Sequence, residues 1–315
     1  MKKKALKKYP INQSPFFKCS SHGRLSKILG CEKDTLYRIL SKADSNYFFG
    51  TLASGRDIEV PKHQMRRIHS RIFSLLSRID PPDYLNSGVR GRSNVINAKA
   101  HLGHNKVGSL DIKDYYQSTS YEMVYKCFRK LFSCADDVSK TLASLCCVKG
   151  HLPTGSPISQ VLAFLVNKAV FDKIQRYCHK RKITFTLYVD DLTLSGETVS
   201  NEVLKHIAFI IKSDRGYDSH KFRLYGIDKQ KPITGLVVNG DTLEVKNKHR
   251  LIISDLLKKV DYYSKDNIDK DRKEKFFQVL IGHLFSAGQA NGRYYQKGKE
   301  MVAYRDSLNI NAINK

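Results

Sequence analysis

The sequence lacks a hydrophobic run long enough to cross a bilayer. The longest unbroken apolar stretch is residues 161–166, whereas a transmembrane helix needs about 20 consecutive apolar residues. The lysine-rich residues 1–8 are followed by the largely polar residues 9–13, which are unlike the apolar core of a secretory signal. We therefore expect no membrane partner and a cytoplasmic location.

The sequence also lacks paired cysteines. Its seven cysteines are odd in number, and no two have the C-x-x-C spacing of a zinc or redox site. This pattern argues against a disulfide framework and against a structural zinc site. We expect the cysteines within the apolar stretches to act as small buried hydrophobic residues, namely Cys127, Cys134, Cys146 and Cys147.

Acidic residues are scarce relative to basic ones. Lys and Arg number 55 against 30 Asp and Glu, which gives a net charge of +25. Such a surplus can belong to a generic basic surface that only keeps the protein soluble, or it can attract polyanions. Residues 1–100 hold 20 Lys and Arg against 7 Asp and Glu, and this concentration favours phosphate contacts with a nucleic acid.

Internal repeats and low-complexity linkers are absent, and helical and strand patterns alternate along the chain. Ser200 is placed to begin a helix that Gly216 closes, and Asn239-Gly240 favours a type I′ turn. The alternation predicts an α+β unit followed by a small helical C-terminal domain. The predicted elements are helices at 64–79 and 157–178, strands at 107–112, 183–189 and 192–195, and a hairpin at 236–245.

Three aspartates form the strongest chemical signal. Asp190 and Asp191 are adjacent between two apolar strands, where like charges repel unless a cation compensates them. Read alone, the pair can equally be an ordinary solvated turn. Asp111 ends another strand, and three carboxylates brought to one point can hold two divalent ions, as in polymerases. The neighbouring Asp114 is predicted to be a solvated helix-start residue.

Residues 111–116, 152–157 and 188–191 resemble, in order and spacing, the three core palm motifs of reverse transcriptases. The resemblance extends over about residues 25–290. It implies an RNA-directed DNA polymerase, a nucleotidyltransferase, with a right-hand architecture of fingers, a palm of antiparallel sheet backed by helices, and a small helical thumb. The implied domains are fingers and palm at 1–240, with the fingers mainly at 1–105 and the palm mainly at 106–240, and a helical RNA-binding thumb at 241–315.

The resemblance also implies roles for single residues. Asp111, Asp190 and Asp191 match the catalytic triad that holds two Mg²⁺ ions, with Mn²⁺ as a substitute ion. Tyr116 matches the aromatic gate that crowds a ribose 2′-hydroxyl and so favours dNTPs. Without the family, Tyr116 would be interpreted as a core aromatic.

Three further residues are assigned to the nucleotide. Arg56 matches the fingers arginine that grips the triphosphate, a task that suits its two-pronged guanidinium; a solvent-facing strand arginine is the alternative. Gly155 lets the backbone approach the substrate closely. Ile112, next to the first aspartate, is assigned to the same site.

Two short strings point to the retron type of reverse transcriptase. Asn97-Ala-Lys-Ala-His101 matches an Asn-Ala-x-x-His element that precedes the first palm motif, and Ile233-Thr-Gly235 resembles a Val-Thr-Gly element. A hydrogen-bonded pair on one helix face is the alternative for Asn97 and His101. A group II intron enzyme would need additional chain for its maturase region.

Several residues are candidates for binding RNA or template. Lys221 or Arg223, after the palm helix, could protonate the leaving pyrophosphate, and both assignments stay open. The thumb lysines can bind RNA phosphates or form a solvated helix face. The candidates are Asn97, His101, Arg92, Pro157, Lys221, Arg223, Lys258 and Lys259.

The retron resemblance implies that the enzyme copies part of its own structured noncoding RNA. Synthesis would start from an RNA 2′-hydroxyl and yield branched RNA–DNA, with an effector protein as partner in defence against phage. Thr154 stands where the family usually has Gln, and Ser159-Gln160 resembles diversity-generating reverse transcriptases, which keeps that subfamily as an alternative. A non-catalytic RNA-binding scaffold is a second alternative, although it would need neither the triad nor the aromatic gate.

Overall fold

The computed structural model describes residues 7–310 apart from positions 43, 54, 228 and 266. Helices and strands alternate through the first three quarters of the chain, and helices dominate the rest. The helices are α1 (His22–Leu29), α2 (Lys33–Leu40), α3 (His63–Leu76), α4 (Asn94–Lys99), α5 (Tyr115–Ser118), α6 (Tyr121–Lys126), α7 (Asp136–Cys146), α8 (Ser159–His179), α9 (Asn201–Arg215), α10 (Asn247–Lys258), α11 (Val260–Tyr263), α12 (Lys270–Gly288) and α13 (Gly292–Ile310). The strands are β1 (Tyr47–Thr51), β2 (Asp57–Pro61), β3 (Val107–Ile112), β4 (Thr184–Tyr188), β5 (Asp191–Ser195), β6 (Ser219–Tyr225), β7 (Lys231–Ile233), β8 (Leu236–Asn239) and β9 (Thr242–Val245).

The central sheet is antiparallel, with the strand order β4-β5-β3-β6. Its inner strand β3 is buried along almost its whole length, as expected for a strand covered on both faces. Helices α8 and α9 pack against the sheet. A Cβ at Gly108 of β3 would lie 3.0 Å from the side chains of Val199 and Leu204, so a side chain at this position would crowd the residues at the start of α9. The predicted strand at 107–112 is confirmed in both bounds.

Helix α9 begins and ends as its sequence predicts. The Ser200 hydroxyl accepts a hydrogen bond from the backbone N–H of Val203, and Gly216 closes the helix in the left-handed conformation. A serine at the first position satisfies a backbone N–H that the helix leaves without a partner. A glycine at the end takes the positive φ at little steric cost.

A smaller sheet, β7-β8-β9, follows the central sheet. Asn239 pairs with Thr242, so the turn residues are Gly240 and Asp241. Of these two, only Gly240 has a positive φ, at +56°, which is the pattern of a type II′ turn. The type I′ turn predicted at Asn239-Gly240 is therefore wrong, because the strand pairing extends one residue further than the sequence pattern indicates.

The C-terminal helices form a core of their own, in which Phe277, Leu280 and Leu284 of α12 are buried. Val245 at the end of β9 belongs to this core, while Leu236 and Val238 of β8 pack with helix α4. The boundary predicted after residue 240 thus falls in the turn between two paired strands, and the helical region itself begins at Asn247. An α+β fold with an antiparallel sheet backed by helices is confirmed.

The cysteines are reduced and mostly buried. Cys127, Cys134, Cys146 and Cys147 all lie in the large hydrophobic core, as expected. Burial raises the pKa of Cys127 and of Cys147 to about 12, because a thiolate loses its hydration there. Among the described residues, no helix has both the length and the apolar content needed to span a membrane.

Candidate active site

The three aspartates meet at one end of the central sheet. Asp111, near the end of β3, is the direct cross-strand partner of Asp191, the first residue of β5. The backbone N–H of Ile112 donates to the carbonyl of Asp190 over 3.1 Å. One carboxylate oxygen from each aspartate lies within 4.8 Å of the other two, and within the described ranges no other group of His, Cys, Asp or Glu converges in this way.

The turn that carries Asp190 is strained. Tyr188 pairs with Asp191, so the two turn residues are Val189 and Asp190, and Asp191 already belongs to a strand. This differs from the predicted strands at 183–189 and 192–195, which placed both aspartates in the turn. Val189 has a φ of +61°, which is rare for a β-branched residue. The Ser87 hydroxyl accepts a hydrogen bond from the Val189 N–H over 2.8 Å and so helps to hold this conformation.

The carboxylates disfavour one another's negative charge. Burial, followed by repulsion from Asp111, raises the pKa of Asp190. The pKa of Asp191 is also raised, first by burial and then by its contacts with the other two aspartates. A divalent cation would reverse this cost, and three carboxylates supply the hard oxygen ligands that Mg²⁺ prefers. The donor set therefore fits the metal site that the sequence predicts.

Two basic side chains of β6 contact the first aspartate. His220 Nε2 lies 2.5 Å from one Asp111 carboxylate oxygen, and Lys221 Nζ donates to the other over 3.2 Å. The pairing of β3 with β6 shifts register between Ser109 and Asp111, and Lys221 has a φ of +54°. Such a β-bulge redirects side chains, and here it brings consecutive residues to the same carboxylate.

The β6 geometry distinguishes the two open candidates for the leaving-group role. Lys221 contacts Asp111. Arg223 pairs with Ser109 further along the strand, and within the described ranges its guanidinium donates only to the Tyr225 hydroxyl. Lys221 is thus the basic residue of this pair that lies at the carboxylate cluster.

Tyr116 and Arg56 lie beside the carboxylates. Burial and the negative charge of Asp190 raise the pKa of Tyr116 to about 12, while the positive charge of Arg56 opposes the shift. The positive charge of Arg56 also opposes the rise in the pKa of Asp190. Among the residues that the structure describes, the Arg56 guanidinium has no hydrogen-bond or ion-pair partner. Its donors are therefore available to an anion at this site.

A buried polar cluster supports the Tyr116 segment. The Tyr115 ring lies 5.8 Å from the Tyr116 ring, measured between centroids. Asn167 of α8 donates to the Tyr217 hydroxyl over 2.9 Å, and that hydroxyl is 3.0 Å from Thr119 Oγ1. Helix α5 is thereby fixed against α8, which keeps Tyr116 at the edge of the site.

Gly155 is required by its packing against strand β2. A Cβ at this position would lie 2.8 Å from Val60 Cγ2 and 2.9 Å from the Glu59 carbonyl oxygen. The close approach that the structure shows is to strand β2, and the expected approach to substrate stays a prediction. Ile112 has 1% of its surface exposed, so its side chain is buried, and its assignment to the nucleotide site stays a prediction.

Two RNA-binding candidates are contradicted by their burial, and a third makes contacts within its own loop. Asn97 and His101 are fully buried; His101 is held between the hydroxyls of Ser195 and Thr186 at 2.7 Å each. The Arg92 guanidinium donates to the carbonyls of residues 82, 83 and 85, so it holds a loop. The Asn97 and His101 side chains are therefore not free to bind RNA, and the assignment of Arg92 stays a prediction.

The remaining RNA-binding candidates are exposed. Pro157 lies on the surface, as do Lys258 and Lys259 of α10, and Lys259 pairs with Asp255 over 2.7 Å. Their assignment to RNA stays a prediction.

The two strings that indicate the retron type meet in space. Asn94, at the start of α4, donates to the Thr234 carbonyl over 3.1 Å, and the Thr234 hydroxyl donates to the Asn94 carbonyl over 3.0 Å. Ile233 packs in one apolar cluster with Ala98 of α4. The helix that carries Asn97 and the segment around Thr234 therefore form one structural unit.

His220 and Ser87 are site residues that sequence reasoning missed. His220 precedes Lys221, but no local pattern indicates that β6 pairs with β3. Ser87 lies in a loop far from Val189 in sequence. The pairing of β6 with β3 places His220 at the carboxylates, and the bridge between Leu85 and Leu187 places Ser87 at the Val189 turn.

The chain is similar to curated retron reverse transcriptases. It is 26% identical over 231 residues to the retron Ec86 reverse transcriptase of Escherichia coli, covering 70% of this chain and 72% of that protein. It is 25% identical over 198 residues to the retron Ec48 reverse transcriptase of Escherichia coli, with coverages of 56% and 48%. The retron Mx65 reverse transcriptase of Myxococcus xanthus is 26% identical over 217 residues, with coverages of 62% and 50%. The chain thus spans about half the length of the last two relatives.

Solved structures of polymerases also align with the chain, at low similarity. A foamy viral protease–reverse transcriptase in complex with double-stranded DNA aligns with a TM-score of 0.44 and 14% identity, covering 83% of this chain and 42% of that one. A telomerase from Candida albicans in complex with a telomeric RNA fragment aligns with a TM-score of 0.41 and 11% identity, covering 87% and 63%. No protein-family model matches the chain. The sequence relatives confirm the resemblance to retron reverse transcriptases and support RNA-directed DNA polymerase activity.

Proposed function

We propose that this protein is an RNA-directed DNA polymerase of the retron type. The observation that carries the proposal is the meeting of Asp111, Asp190 and Asp191 at the end of β3, with Tyr116 and Arg56 beside them. Similarity to retron reverse transcriptases supports it independently.

The three aspartates would hold two Mg²⁺ ions, for which Mn²⁺ is a substitute. When bound, such ions lower the pKa of a primer hydroxyl and neutralise charge on the triphosphate. The chain's own contribution is to present three carboxylates on a strained hairpin and a paired strand. That preorganised arrangement needs little rearrangement at the moment of reaction.

Three other side chains would act on the nucleotide. The free Arg56 guanidinium would bind triphosphate oxygens. The Tyr116 ring would exclude a ribose 2′-hydroxyl by occupying its space. Lys221, whose ammonium lies 3.2 Å from Asp111, would protonate the leaving pyrophosphate.

The retron assignment extends the proposal to a substrate. The enzyme would copy part of its own structured noncoding RNA from an RNA 2′-hydroxyl, with an effector protein as partner in defence against phage. The packing of α4 against the Thr234 segment supports the retron assignment, because the two segments that carry the retron-type strings then contact each other. A diversity-generating reverse transcriptase is the second candidate, favoured by Thr154 and by Ser159-Gln160.

Primer extension on an RNA template tests the catalytic proposal. Asp190→Asn and Asp111→Asn should each abolish DNA synthesis while leaving the thermal midpoint near that of the wild type. Asp114→Asn is the matched control, because Asp114 is exposed and its side chain caps no backbone N–H. Full activity in either of the first two variants would contradict the metal assignment.

The nucleic acid that copurifies with the protein tests the retron assignment. RNA joined 2′ to 5′ to a short DNA is expected. Unbranched DNA would instead favour the diversity-generating candidate, and RNA without any DNA product would favour a non-catalytic scaffold.

A further inference from the structure

Strand β2, which follows Arg56 directly, is bound to the loop at residues 151–155 by side-chain contacts. His151 Nε2 lies 3.1 Å from both carboxylate oxygens of Glu59. The His151 side chain is only 19% exposed and the Glu59 side chain 12%, so solvent screens their interaction weakly. The contact joins residues that are 92 positions apart in the chain.

Thr154 makes a second connection between the same segments. Its hydroxyl donates to the Asp57 carbonyl over 3.1 Å and accepts from the Glu59 N–H over 3.2 Å. The family usually has glutamine at this position. The departure at Thr154 therefore has a structural use in this chain.

Gly155 completes the contact. Its N–H donates to the Glu59 carbonyl over 3.1 Å, and a side chain at Gly155 would clash with Val60. We name this set of contacts the strand–loop latch: Glu59 with His151, and residues 57–59 with Thr154 and Gly155.

The loop end of the latch is itself held by the buried core. Ser156 Oγ lies 2.6 Å from Nδ1 of His69, whose Nε2 is 2.7 Å from the Leu145 carbonyl oxygen. Ser159 donates to the Pro153 carbonyl over 2.5 Å. A loop fixed at both ends gives β2 a rigid support.

We propose that the strand–loop latch is a positioning device, in which Thr154 and the Glu59–His151 pair hold β2 so that the Arg56 guanidinium faces the triphosphate of an incoming nucleotide. The proposal rests on the proposed polymerase function. Among the described residues, the Arg56 guanidinium has no hydrogen-bond or ion-pair partner. The Arg56 carbonyl accepts a hydrogen bond from the Leu52 N–H over 2.8 Å, so the position of the Arg56 backbone depends on the β1–β2 hairpin. A displacement of about 1 Å in such a group weakens its action on substrate severely.

Thr154→Val tests the latch, because it removes the hydroxyl while keeping the shape of the side chain. Loss of such a hydrogen bond should raise the KM for dNTP by about 2- to 10-fold, with kcat within about 2-fold of the wild type. Thr154→Ser keeps the hydroxyl and should restore the KM. A rise of equal size in both variants would overturn the proposal.

A double-mutant cycle with Arg56→Ala separates positioning from general damage. If the latch acts through Arg56, Thr154→Val should add nothing to the KM of Arg56→Ala. Effects that multiply in the double variant would overturn the proposal, since Thr154 would then act by another route.

Hydrogen–deuterium exchange tests the latch without relying on catalysis. Peptides covering residues 47–61 should exchange faster in Thr154→Val than in the wild type, and Thr154→Ser should exchange like the wild type. Unchanged exchange in Thr154→Val would overturn the latch. If the wild type extends no primer, the proposed function and the role at the nucleotide both fail, while exchange still decides whether the latch exists.

Discussion

At the scale of single residues, the position of Tyr116 depends on how two neighbouring tyrosines are used. Tyr115 is buried with 3% of its surface exposed and packs against Tyr217. Tyr116 is only partly buried and lies near Asp190 and Arg56. One ring therefore anchors α5, and the other is left at the edge of the carboxylate site, where it can limit what enters.

We expect Tyr116→Ala to weaken the preference for dNTPs over ribonucleotides by about 10-fold or more, because the space beside the sugar would then be open. Tyr116→Phe keeps the ring and should keep the preference. The ratio of kcat/KM for the two nucleotide types measures it. A preference that survives in Tyr116→Ala would mean that another side chain discriminates at the sugar.

Two buried histidines make the stability of the protein depend on pH. Burial lowers the pKa of His69 to about 4 and that of His101 to about 3, so both are neutral in the folded protein at neutral pH. The unfolded chain can protonate them below pH ~6.5. The stability that these histidines preserve is therefore fully present above pH ~6.5 and is lost as the pH falls toward their folded-state pKa.

We predict that His101→Gln flattens the fall in unfolding free energy between pH 7 and pH 5. One histidine contributes at most about 1.4 kcal/mol per pH unit over this window. Urea unfolding at several pH values measures the slope. His63→Gln, at an exposed position, shows how much of the change comes from losing any histidine; equal slopes in the two variants would contradict the prediction.

At the scale of elements, the structure differs from sequence expectation mainly at strand ends and at β6. The strand 107–112 and the start of α9 could be predicted because apolar periodicity and a capping serine are local signals. The turn at Val189 could not, because a valine with positive φ violates local preference and is held by Ser87. Such conflicts between local and global structure concentrate at functional sites.

The sequence also could not show which strand would lie beside β3. Asp111, Asp190, Asp191 and Tyr116 were predictable, since their motifs carry the chemistry. His220 was not, because its contact with Asp111 depends on the pairing of β6 with β3 and on the bulge within it. For the same reason, the burial of Asn97 and His101 became evident only in the folded protein.

The bulge in β6 leads to a prediction about two basic residues. Lys221→Ala should lower kcat by about 100-fold, because it would remove the proposed general acid at the carboxylate cluster. Arg223→Ala, two positions along the same strand, should change kcat little. Single-turnover primer extension compares them. A larger loss in Arg223→Ala would mean that the strand adopts another register when nucleic acid is bound.

At the scale of the whole molecule, the net charge of +25 matters for how RNA is held. On α10, Lys258 and Lys259 are adjacent and exposed, yet they differ in their partners. Lys259 pairs with Asp255, whereas Lys258 has no ion-pair partner in the described part of the chain. A lysine that is already neutralised offers less to a phosphate.

We expect Lys258→Ala to reduce the salt dependence of RNA affinity by about one phosphate contact, a change of roughly 0.7 in the slope of log K against log salt for a single strand. Lys259→Ala should change the slope less. Filter-binding titrations at roughly 50 to 200 mM salt measure the slopes of the two variants. Slopes in both variants that equal the slope of the wild type would indicate that α10 does not contact RNA.

The central place of β3 in its sheet also has a consequence for biosynthesis. Its first partner, β5, is made well after it, and its second partner, β6, is made later still. Contacts between distant segments form slowly, since long loops must close first. A nascent chain therefore carries Asp111 through the ribosome long before any metal-binding site can exist. We infer that the three carboxylates can meet only after β5 has been made, and that the contacts of His220 and Lys221 with Asp111 form later, when β6 joins the sheet.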